Sequence, residues 1–327
     1  MNYLNSKYLN YNSPPLPPLT KMVSSLLTVM TWNMWFDKKN RAQRTETLLN
    51  EVRCYDPDIV ALQEVVQESL EIIIAKMRPT YYIIGTISPD IGYDTIILSK
   101  FPPIEWDRYY LPKTKMGRNL LLATLQTQTR QITIGTFHLE SVFFPKTKLA
   151  EEFKETQLKY IYAISPINSI LMGDTNLVIN NDPYPFPSSE SPKCPNNPPI
   201  IDVYYVPLPL PLSQRGIPPN DEPNATPDMI DLGAEDIEFQ QDTSASPPDV
   251  HNLGVCPFSK GAGAGAGAGA TYCGRTNKHV KNKSIQSRLD RIYVKIKRNS
   301  LKVHFYGLTG TFTQPSDHFG VFAQIEF

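Results

Sequence analysis

The first 77 residues alternate between short apolar runs and segments with helical spacing of apolar residues. The predicted order is strand, helix, strand, helix, over Leu26–Trp32, Ala42–Cys54, Ile59–Leu62 and Val66–Met77. Tyr55-Asp56-Pro57-Asp58 supplies the break before the second strand. Such an alternation predicts an α/β fold with neighbouring strands. Each strand ends in a polar residue, Asn33 or Glu64, so both side chains are expected at one edge of a sheet.

From Tyr81 onward the pattern changes to strands joined by short turns, which predicts antiparallel pairing. These strands are expected at Tyr81–Gly85, Tyr93–Leu98, Ile104–Tyr110, Leu120–Gln126 and Ile132–Phe137. A third helix is expected over Lys146–Ile164 and leads into the buried strand Ser169–Met172. The last strands are expected at Ile285–Lys295, Leu301–Tyr306 and Gly320–Glu326.

Composition supports one large core and excludes several classes of protein. Hydrophobic residues make up 41% of the chain, which is enough for a core, and no apolar run reaches the length of a membrane span. Residues 1–22 are polar and Pro-rich, so we expect a disordered tail and no secretory signal. The four cysteines form no C-x-x-C pair, which is typical of thiols in a reducing compartment.

A long low-complexity insertion is expected to interrupt the single catalytic domain, which spans residues 23–327. The insertion covers about residues 184–270; it is first Pro-rich, then acidic, and it ends in a Gly-Ala repeat. Such a composition cannot bury enough apolar surface to offset the entropy of ordering, so we expect a flexible surface loop. Ile200–Tyr205 is the part expected to stay on the domain. The Pro-rich tail and the acidic insertion are candidate surfaces for protein partners.

The charge is unevenly distributed although the formal net charge is +0. Residues 216–259 contain nine acidic residues and no Lys or Arg, whereas residues 275–302 contain ten Lys or Arg and one acid, Asp290. The basic segment could contact phosphates or could be the solvated face of strands, and composition does not separate these two alternatives.

Polar residues capable of phosphoryl chemistry follow the predicted strands. They are Asn33, Glu64, His138 with Glu140 and Ser141, Asp174 with Asn176, and Asp317 with His318. Carboxylates, amides and imidazoles at one rim suit metal-assisted phosphoryl transfer. Glu64 could hold Mg²⁺, Asp174 could orient or deprotonate a water, and His318 paired with Asp317 could contact phosphoryl oxygens. Asn33, Asn176 and His138 would bind non-bridging oxygens.

Several motifs, in this order along the chain, resemble the endonuclease/exonuclease/phosphatase superfamily. They are Thr31-Trp32-Asn33, Leu62-Gln63-Glu64-Val65, Gly173-Asp174-Thr175-Asn176-Leu177, Leu289-Asp290-Arg291-Ile292 and Ser316-Asp317-His318-Phe319-Gly320. Four further features narrow the resemblance to a subfamily that acts on tyrosyl-DNA adducts. They are Tyr55-Asp56-Pro57-Asp58, Thr114 to Leu121, His138-Leu139-Glu140-Ser141 and Thr175.

The resemblance implies a four-layer α/β sandwich, with two stacked mixed β-sheets flanked by helices. It implies Mg²⁺ or Mn²⁺ as cofactor and hydrolysis of the 5′-phosphotyrosyl bond of trapped topoisomerase–DNA adducts, leaving a 5′-phosphate. The implied catalytic residues are Asn33, Glu64, Asp174 and His318, with Asn176 and Asp317. Glu64 is the implied metal ligand, and the implied substrate-binding residues are His138, Ser141, Arg118 and Asn119.

The chain departs from the family pattern near the substrate groove. Phe143 and Val178 stand where the family carries Arg, and Thr271-Tyr272-Cys273-Gly274 replaces an aromatic-rich segment with a Trp. Basic residues of the segment from Arg275 to Lys302 could replace the lost charge.

Two alternative functions stay open at this point. The first is a nuclease or phosphatase of the same fold that acts on abasic DNA, RNA or a phosphoinositide. The second is a non-catalytic binding protein that has kept the fold. The leading interpretation predicts a monomer that binds DNA 5′ ends carrying a tyrosyl or peptide adduct and binds no membrane. It predicts a nuclear or otherwise cytoplasmic location, and not a secreted protein.

Overall fold

Two mixed sheets of six strands each form the centre of the fold. The computed structural model describes residues 26–141, 148–177, 228–231, 270–296 and 302–326. Its helices are α1 Arg41–Tyr55, α2 Gln67–Met77 and α3 Lys148–Ile164. Its strands are β1 Leu26–Asn33, β2 Ile59–Val66, β3 Tyr82–Ile84, β4 Tyr93–Ser99, β5 Pro103–Tyr110, β6 Asn119–Gln126, β7 Gln131–His138, β8 Ser169–Asp174, β9 Asp228–Asp231, β10 Tyr272–Cys273, β11 Gln286–Ser287, β12 Asp290–Ile296, β13 Lys302–Thr309 and β14 Gly320–Glu326.

The strand order brings distant parts of the chain side by side. The first sheet has the order β13-β14-β1-β2-β4-β3, and the second has the order β5-β6-β7-β8-β12-β9. Strands β1 and β2 are parallel, and so are β7 and β8, whereas the other pairs in the described residues are antiparallel. The strand-and-turn pattern from Tyr81 to Phe137 therefore predicted the antiparallel pairing correctly.

Side chains of β1 show how the layers are built. Successive residues of a strand face opposite sides of its sheet, so a strand buried on both faces needs a continuous apolar run. Leu27 and Val29 pack between the two sheets, whereas Met30 and Trp32 pack under α1 and α2. Both faces of β1 are therefore core.

Three apolar clusters define four layers. The central cluster lies between the sheets and includes Ile97, Ile134 and Met172. One outer cluster joins α1 and α2 to the first sheet, and the other joins α3 to the second sheet through Leu158 and Ile161. The order of layers is helix, sheet, sheet, helix, which confirms the predicted four-layer α/β sandwich.

One element lies where a flexible loop was expected. Asp228–Asp231, within the insertion at about 184–270, forms β9 and pairs antiparallel with β12 along Ile296 to Tyr293. An edge strand exposes a row of unpaired amide and carbonyl groups, and a short partner satisfies them. Ile200–Tyr205, the tail at 1–22, Phe143 and Val178 lie outside the described residues.

The predicted element bounds differ from the structure by a few residues in most cases. The expected strand Ile285–Lys295 is divided into β11 and β12, because β11 leaves the large sheet to pair with β10. Among the described residues, no helix has the length and apolar character that crossing a membrane requires.

Candidate active site

Strands β7, β8 and β12 deliver three polar side chains to one edge of the second sheet. His138 stands opposite Asp174 in the parallel register of β7 and β8, and Asp174 stands opposite Asp290 in the antiparallel register of β8 and β12. Gly173 permits the close approach of β7 and β8, since a Cβ there would overlap the Phe137 carbonyl. The three side chains are buried.

Strands β1 and β2 bring Asn33 and Glu64 to the same rim from the first sheet. Asn33 Nδ2 donates to Asp174 Oδ2 at 2.9 Å, so this hydrogen bond joins the polar ends of the two sheets. Glu64 has a φ of 57°, and the pairing of β2 with β4 shifts register between Leu62 and Val65. This bulge turns the Glu64 side chain out of the strand pattern and toward the site. Both residues were expected at one rim, and the structure brings them together there.

The imidazole of His318 is held by Asp290, and not by its sequence neighbour Asp317. His318 Nδ1 lies 2.7 Å from Asp290 Oδ2, and its Nε2 lies 3.8 Å from Asp174 Oδ2. Burial opposes charge on the ring, but the Asp290 and Asp174 carboxylates outweigh it and raise the pKa of His318 well above its ordinary value. His318 is therefore a buried cation between two carboxylates.

The predicted pairing of His318 with Asp317 is wrong. Asp317 Oδ1 accepts a hydrogen bond from Ser316 Oγ at 3.4 Å, and burial raises the pKa of its carboxyl. Asp317 lies beside the site, where its charge acts on Arg44 and Tyr272. Adjacent residues in an extended segment point in different directions, so His318 does not face Asp317. It pairs instead with Asp290, the first residue of β12.

His138 is a neutral imidazole with one nitrogen directed at both carboxylates. Arg118 Nη1 lies 2.7 Å from His138 Nδ1 and, as a guanidinium, must be the donor. Burial and the Arg118 charge lower the pKa of His138 well below its ordinary value. The proton of the neutral ring then sits on Nε2, which lies 3.4 Å from Asp174 Oδ2 and 3.9 Å from Glu64 Oε1.

Asp174 is an ionised carboxylate fixed by donors on both oxygens. Its Oδ1 accepts the Asn176 backbone amide at 2.8 Å, and its Oδ2 accepts Asn33 Nδ2. Burial favours the protonated form, but the neighbouring histidines and these two hydrogen bonds prevail and lower the pKa of Asp174. Its position is suited to orienting a water.

Asn176 follows Asp174 in a left-handed conformation, with a φ of 49°. Asn tolerates this region better than most residues. Its Nδ2 donates to the Leu139 carbonyl at 3.1 Å, and its own carbonyl accepts Lys154 Nζ at 2.6 Å. Lys154 is buried on α3, so a helix from the outer layer fixes the turn after β8.

Glu64 differs from Asp174 because it has little to balance its charge. Burial raises the pKa of its carboxyl to about 7, and its hydrogen-bond donor is the Phe36 backbone amide, at 3.0 Å from Oε2. Carboxylate oxygen is the ligand type that Mg²⁺ prefers, and Mg²⁺ is commonly held through one or two carboxylates with waters. A divalent cation would supply the missing positive charge, so Glu64 fits the predicted role of metal ligand.

A second group of ligand atoms is less suited to a metal. Atoms of Asp174, Asp290 and His318 lie within 4.8 Å of one another. However, His318 Nδ1 is already hydrogen-bonded to Asp290, and its raised pKa makes the ring a cation. A protonated imidazole repels a metal ion and cannot ligate it.

The remaining predicted site residues lie around this centre. Arg118 and Asn119 are buried; Asn119 Nδ2 donates to Asp94 Oδ1 at 2.9 Å. Glu140 accepts from Thr114 Oγ1 and from the Lys115 amide, so it fixes the segment that leads to Arg118. Ser141 is half-buried at the end of a described range. Their proposed contacts with substrate stay predictions.

An open pocket lies beside Glu64. Tyr93, Met116, Arg118 and His138 are among its lining residues. The Arg118 guanidinium lies 5.5 Å from the Tyr93 ring centroid, and the Phe36 ring stacks on Tyr93 with centroids 5.2 Å apart. The pocket is therefore both aromatic and cationic.

Asp290 is the functional residue that the sequence interpretation missed. It stands in the Leu289-Asp290-Arg291-Ile292 motif, but no role was assigned to it. An acidic residue at the start of a buried strand, within an otherwise basic segment, was the available signal. Its partner depends on the register of β8 with β12, which the sequence does not show.

Comparisons with known proteins agree with this geometry. Residues 30–318 match the sequence model of the Endonuclease/Exonuclease/phosphatase family. The chain is 33% identical over 159 residues to tyrosyl-DNA phosphodiesterase 2 of Xenopus laevis and 29% identical over 157 residues to that of Homo sapiens. Each alignment covers 47% of this chain and 42% of the relative. The chain thus spans less than half the length of the curated relatives it matches.

Solved structures show the same fold. Tyrosyl-DNA phosphodiesterase 2 of Danio rerio, complexed with a single-strand DNA product, superimposes with a TM-score of 0.59 at 19% identity, covering 93% of this chain and 100% of that one. The human Nocturnin catalytic domain with bound sulfate gives 0.51 at 18% identity, covering 93% and 95%. At these identities the likeness shows the fold alone, and that fold is the predicted one.

Proposed function

We propose, from the premise that the chain belongs to the endonuclease/exonuclease/phosphatase family, that it is a divalent-metal-dependent phosphodiesterase. Its proposed substrate is a DNA 5′ end that carries a tyrosyl or peptide adduct, and its product is a 5′-phosphate. The observation that carries the proposal is the convergence of four side chains at one rim: His138 Nε2 lies 3.4 Å from Asp174 Oδ2 and 3.9 Å from Glu64 Oε1, and His318 Nε2 lies 3.8 Å from Asp174 Oδ2. The match to tyrosyl-DNA phosphodiesterases supports the choice of substrate.

Asp174 orients the attacking water in this proposal. Its two oxygens are fixed by Asn176 and Asn33, and each keeps a lone pair for a water proton. Since its pKa is lowered, Asp174 stays ionised and acts mainly by positioning the nucleophile. The attack is in line with the leaving group.

Two imidazoles of different charge stabilise the phosphoryl oxygens. His318 supplies a positive charge that Asp290 maintains, and His138 supplies an Nε2 proton as a neutral donor. Such fixed donors stabilise charge as it develops, without reorganisation during the reaction. Mg²⁺ or Mn²⁺ at Glu64, when bound, would add positive charge at the same phosphoryl group.

The leaving group sets how much acid catalysis is needed. A tyrosyl phenolate has a pKa of about 10, so it leaves more easily than a sugar alkoxide. No dedicated general acid is then required at the bridging oxygen.

A substrate panel tests the proposal. The purified chain is incubated with 5′-tyrosyl, 3′-tyrosyl, abasic and RNA oligonucleotides and with an inositol phosphate, each with Mg²⁺, with Mn²⁺ and with chelator. We expect fastest turnover of the 5′-tyrosyl oligonucleotide, a 5′-phosphate product, and no turnover with chelator. Faster turnover of abasic DNA, RNA or the inositol phosphate would replace the substrate assignment, and no turnover of any substrate would favour a binding protein.

The proposed substrate also sets where the protein acts. We propose that it acts as a monomer in the nucleus, where DNA adducts arise. Imaging of the tagged chain and its mass in solution test these two statements. A cytoplasmic signal or a stable dimer would contradict them.

A further inference from the structure

A cationic surface with exposed aromatic rings lies beside the candidate active site. We name it the aromatic–cationic surface and define it by Trp35, Lys39, Lys278, His279 and Phe312. Lys39 and Lys278 are exposed, and Trp35 and His279 are half-buried. None of these residues takes part in the chemistry proposed above.

The surface is built directly onto site residues. The Trp35 backbone amide donates to Asn33 Oδ1 at 3.0 Å, and the Trp35 ring lies 5.0 Å from the His279 ring. His279 Nε2 contacts the Gln314 carbonyl at 2.9 Å, three residues before Asp317. The surface therefore adjoins Asn33 directly, and a ligand bound on it would lie next to the site.

Positive charge from three elements converges on this surface. Burial lowers the pKa of His279, and the charges of Lys278, Arg44 and Lys39 lower it further. The hydrogen bond with the Gln314 backbone raises this pKa but does not outweigh them. Residues 270–289 contain no Asp or Glu. Asp37, the carboxylate of the loop after β1, accepts the Lys39 amide at 2.7 Å. Asp37 keeps its negative charge, but the cations Lys39, Lys278 and Arg44 outnumber it at this surface, which favours an anionic ligand.

Phe312 supplies an open aromatic face within this field. Its side chain is 64% exposed, the most exposed of the large hydrophobic side chains among the described residues. The turn that carries it is held by the Gln314 amide on the Gly310 carbonyl at 2.9 Å and by Lys278 Nζ on the Thr313 carbonyl at 3.2 Å. The turn thus exposes the Phe312 ring one residue from a carbonyl that accepts from an ammonium group. An exposed aromatic ring in a cationic region is the combination that stacks a base and pairs its phosphate.

We propose that the aromatic–cationic surface binds single-stranded nucleic acid, with one base on Phe312 and phosphates at Lys39 and Lys278. Bases in a duplex are stacked on one another, so an exposed ring can receive one only from a single strand. The inference rests on the proposed function in one respect: the bound strand is the one whose 5′ end enters the site. It adds a strand-binding surface outside the reacting groups.

Binding without turnover tests the surface independently of the reaction. A 3′-labelled 12-nucleotide single strand without adduct is titrated with the full chain in chelator, and anisotropy gives Kd at several salt concentrations. We expect Phe312→Ala to raise Kd about tenfold and Phe312→Tyr to restore it, because stacking on one base is lost and regained. Lys39→Gln with Lys278→Gln should reduce the slope of log K against log salt by about 1.4, from two phosphate contacts.

Matched controls come from other exposed positions. Tyr110, which is 60% exposed, and Lys159, which is on α3, are changed to Ala and Gln. Both controls should bind as the unchanged chain does, and equal melting temperatures verify that every variant is folded. Equal Kd values for Phe312→Ala and Tyr110→Ala would overturn the proposal. So would tighter binding of a duplex, or binding of phosphatidylserine vesicles that depends on these residues while oligonucleotide binding does not.

The two proposals can fail separately. If Phe312→Ala weakens strand binding while no form of the chain cleaves a 5′-tyrosyl oligonucleotide, the surface stands and the proposed reaction does not. If the unchanged chain cleaves that substrate and Phe312→Ala binds the strand normally, the reaction stands and the surface is wrong.

Discussion

Glu64 and Asp290 are both carboxylates at the rim of the site, but their charges are balanced in different ways. Asp290 Oδ2 accepts a 2.7 Å hydrogen bond from His318, so the protein itself supplies a cation. Glu64 has the Phe36 backbone amide as its donor, and the histidine nearest to it, His138, is neutral. We name the Glu64 side of the site the metal end, because the proposed divalent cation would bind there, and the Asp290 side the imidazole end.

The difference shows which charge the protein leaves to a ligand. A buried carboxylate without a cation is costly, and it binds a proton or a metal ion to reduce that cost. Burial raises the pKa of Glu64 because the charged carboxylate is poorly stabilised. The pKa of His318 is raised because Asp290 and Asp174 stabilise the charged imidazole. The metal end should therefore respond to divalent ions, and the imidazole end should respond to pH.

Removing the charge at the metal end should have the largest effect. We expect Glu64→Gln to lower kcat/KM by at least about 10³-fold, or about 4 kcal/mol of transition-state stabilisation. The Mg²⁺ concentration for half-maximal activity should also rise. Initial rates on a 5′-tyrosyl oligonucleotide, measured over a range of Mg²⁺, check both results.

Glu68→Gln is the matched control for this change. Glu68 lies four residues on, with an exposed side chain that pairs with Arg41 at 3.0 Å. Such surface ion pairs contribute little. Equal Mg²⁺ dependence in the two variants would remove Glu64 from the metal end.

Stability should depend on pH at the metal end when metal is removed. The pKa of Glu64 is about 7 in the folded chain against 4.5 as the ordinary value. The folded state holds the proton more tightly, so the stabilisation is complete below pH 4.5 and is lost as the pH rises through 7. The difference corresponds to about 3 kcal/mol.

Urea unfolding in chelator at pH 5, 6, 7 and 8 measures this loss. The free energy of unfolding should fall with pH in the unchanged chain by about 3 kcal/mol more than in Glu64→Gln. Saturating Mg²⁺ should reduce the fall, because the metal takes the place of the proton. If the free energy of unfolding depends on pH in the same way in both proteins in chelator, burial does not raise the pKa of Glu64.

The imidazole end should show a shift in the pH–rate profile. In Asp290→Asn, the pKa of His318 should fall, because the carboxylate that raises it is gone. The alkaline limb of the kcat profile should move to lower pH, and kcat should fall about 10²-fold, or about 2.7 kcal/mol.

Asp317→Asn separates the observed pairing from the one expected from sequence. Asp317 is adjacent to His318 in the chain, but its carboxylate accepts a hydrogen bond from Ser316. Its substitution should move the alkaline limb less than Asp290→Asn does. A larger shift in Asp317→Asn would mean that the sequence pairing, and not the geometry, describes the working enzyme.

Sequence alone placed the residues whose position depends on a single strand. Asn33 and Glu64 lie near the ends of the parallel neighbours β1 and β2, so their convergence follows from local pattern. Asp174 ends β8 in the other sheet, and its approach to Asn33 depends on how the two sheets stack. The four layers, by contrast, were implied by the resemblance of the motifs to the endonuclease/exonuclease/phosphatase superfamily.

Features that depend on pairing between distant segments could not be predicted from the sequence. The partner of His318 follows from the register of Asp290 with Asp174, two residues more than 100 positions apart. The neutrality of His138 follows from its burial and from the charge of Arg118, the residue before β6. Strand β9 pairs with β12, which would otherwise be an open edge of the sheet. The composition of the insertion does not show that such an edge is available to it.

A smaller effect should come from a residue that touches neither end directly. Lys154 on α3 holds the Asn176 carbonyl at 2.6 Å, and the Asn176 amide in turn holds Asp174 Oδ1. Lys154→Met keeps the aliphatic stem but removes the donor, so the left-handed turn at Asn176 can relax. We expect kcat to fall about tenfold, or about 1.4 kcal/mol, with little change in KM.

Lys159→Met, an exposed site on the same helix that pairs with Glu155, should leave kcat unchanged. Lys154→Arg should recover part of the activity, because it restores a donor near the Asn176 carbonyl. A purely structural role for Lys154 would instead lower the melting temperature and leave kcat per folded molecule unchanged. Since Asp174 lies between the metal end and the imidazole end, a loss in kcat alone would show that both ends depend on how this turn is held.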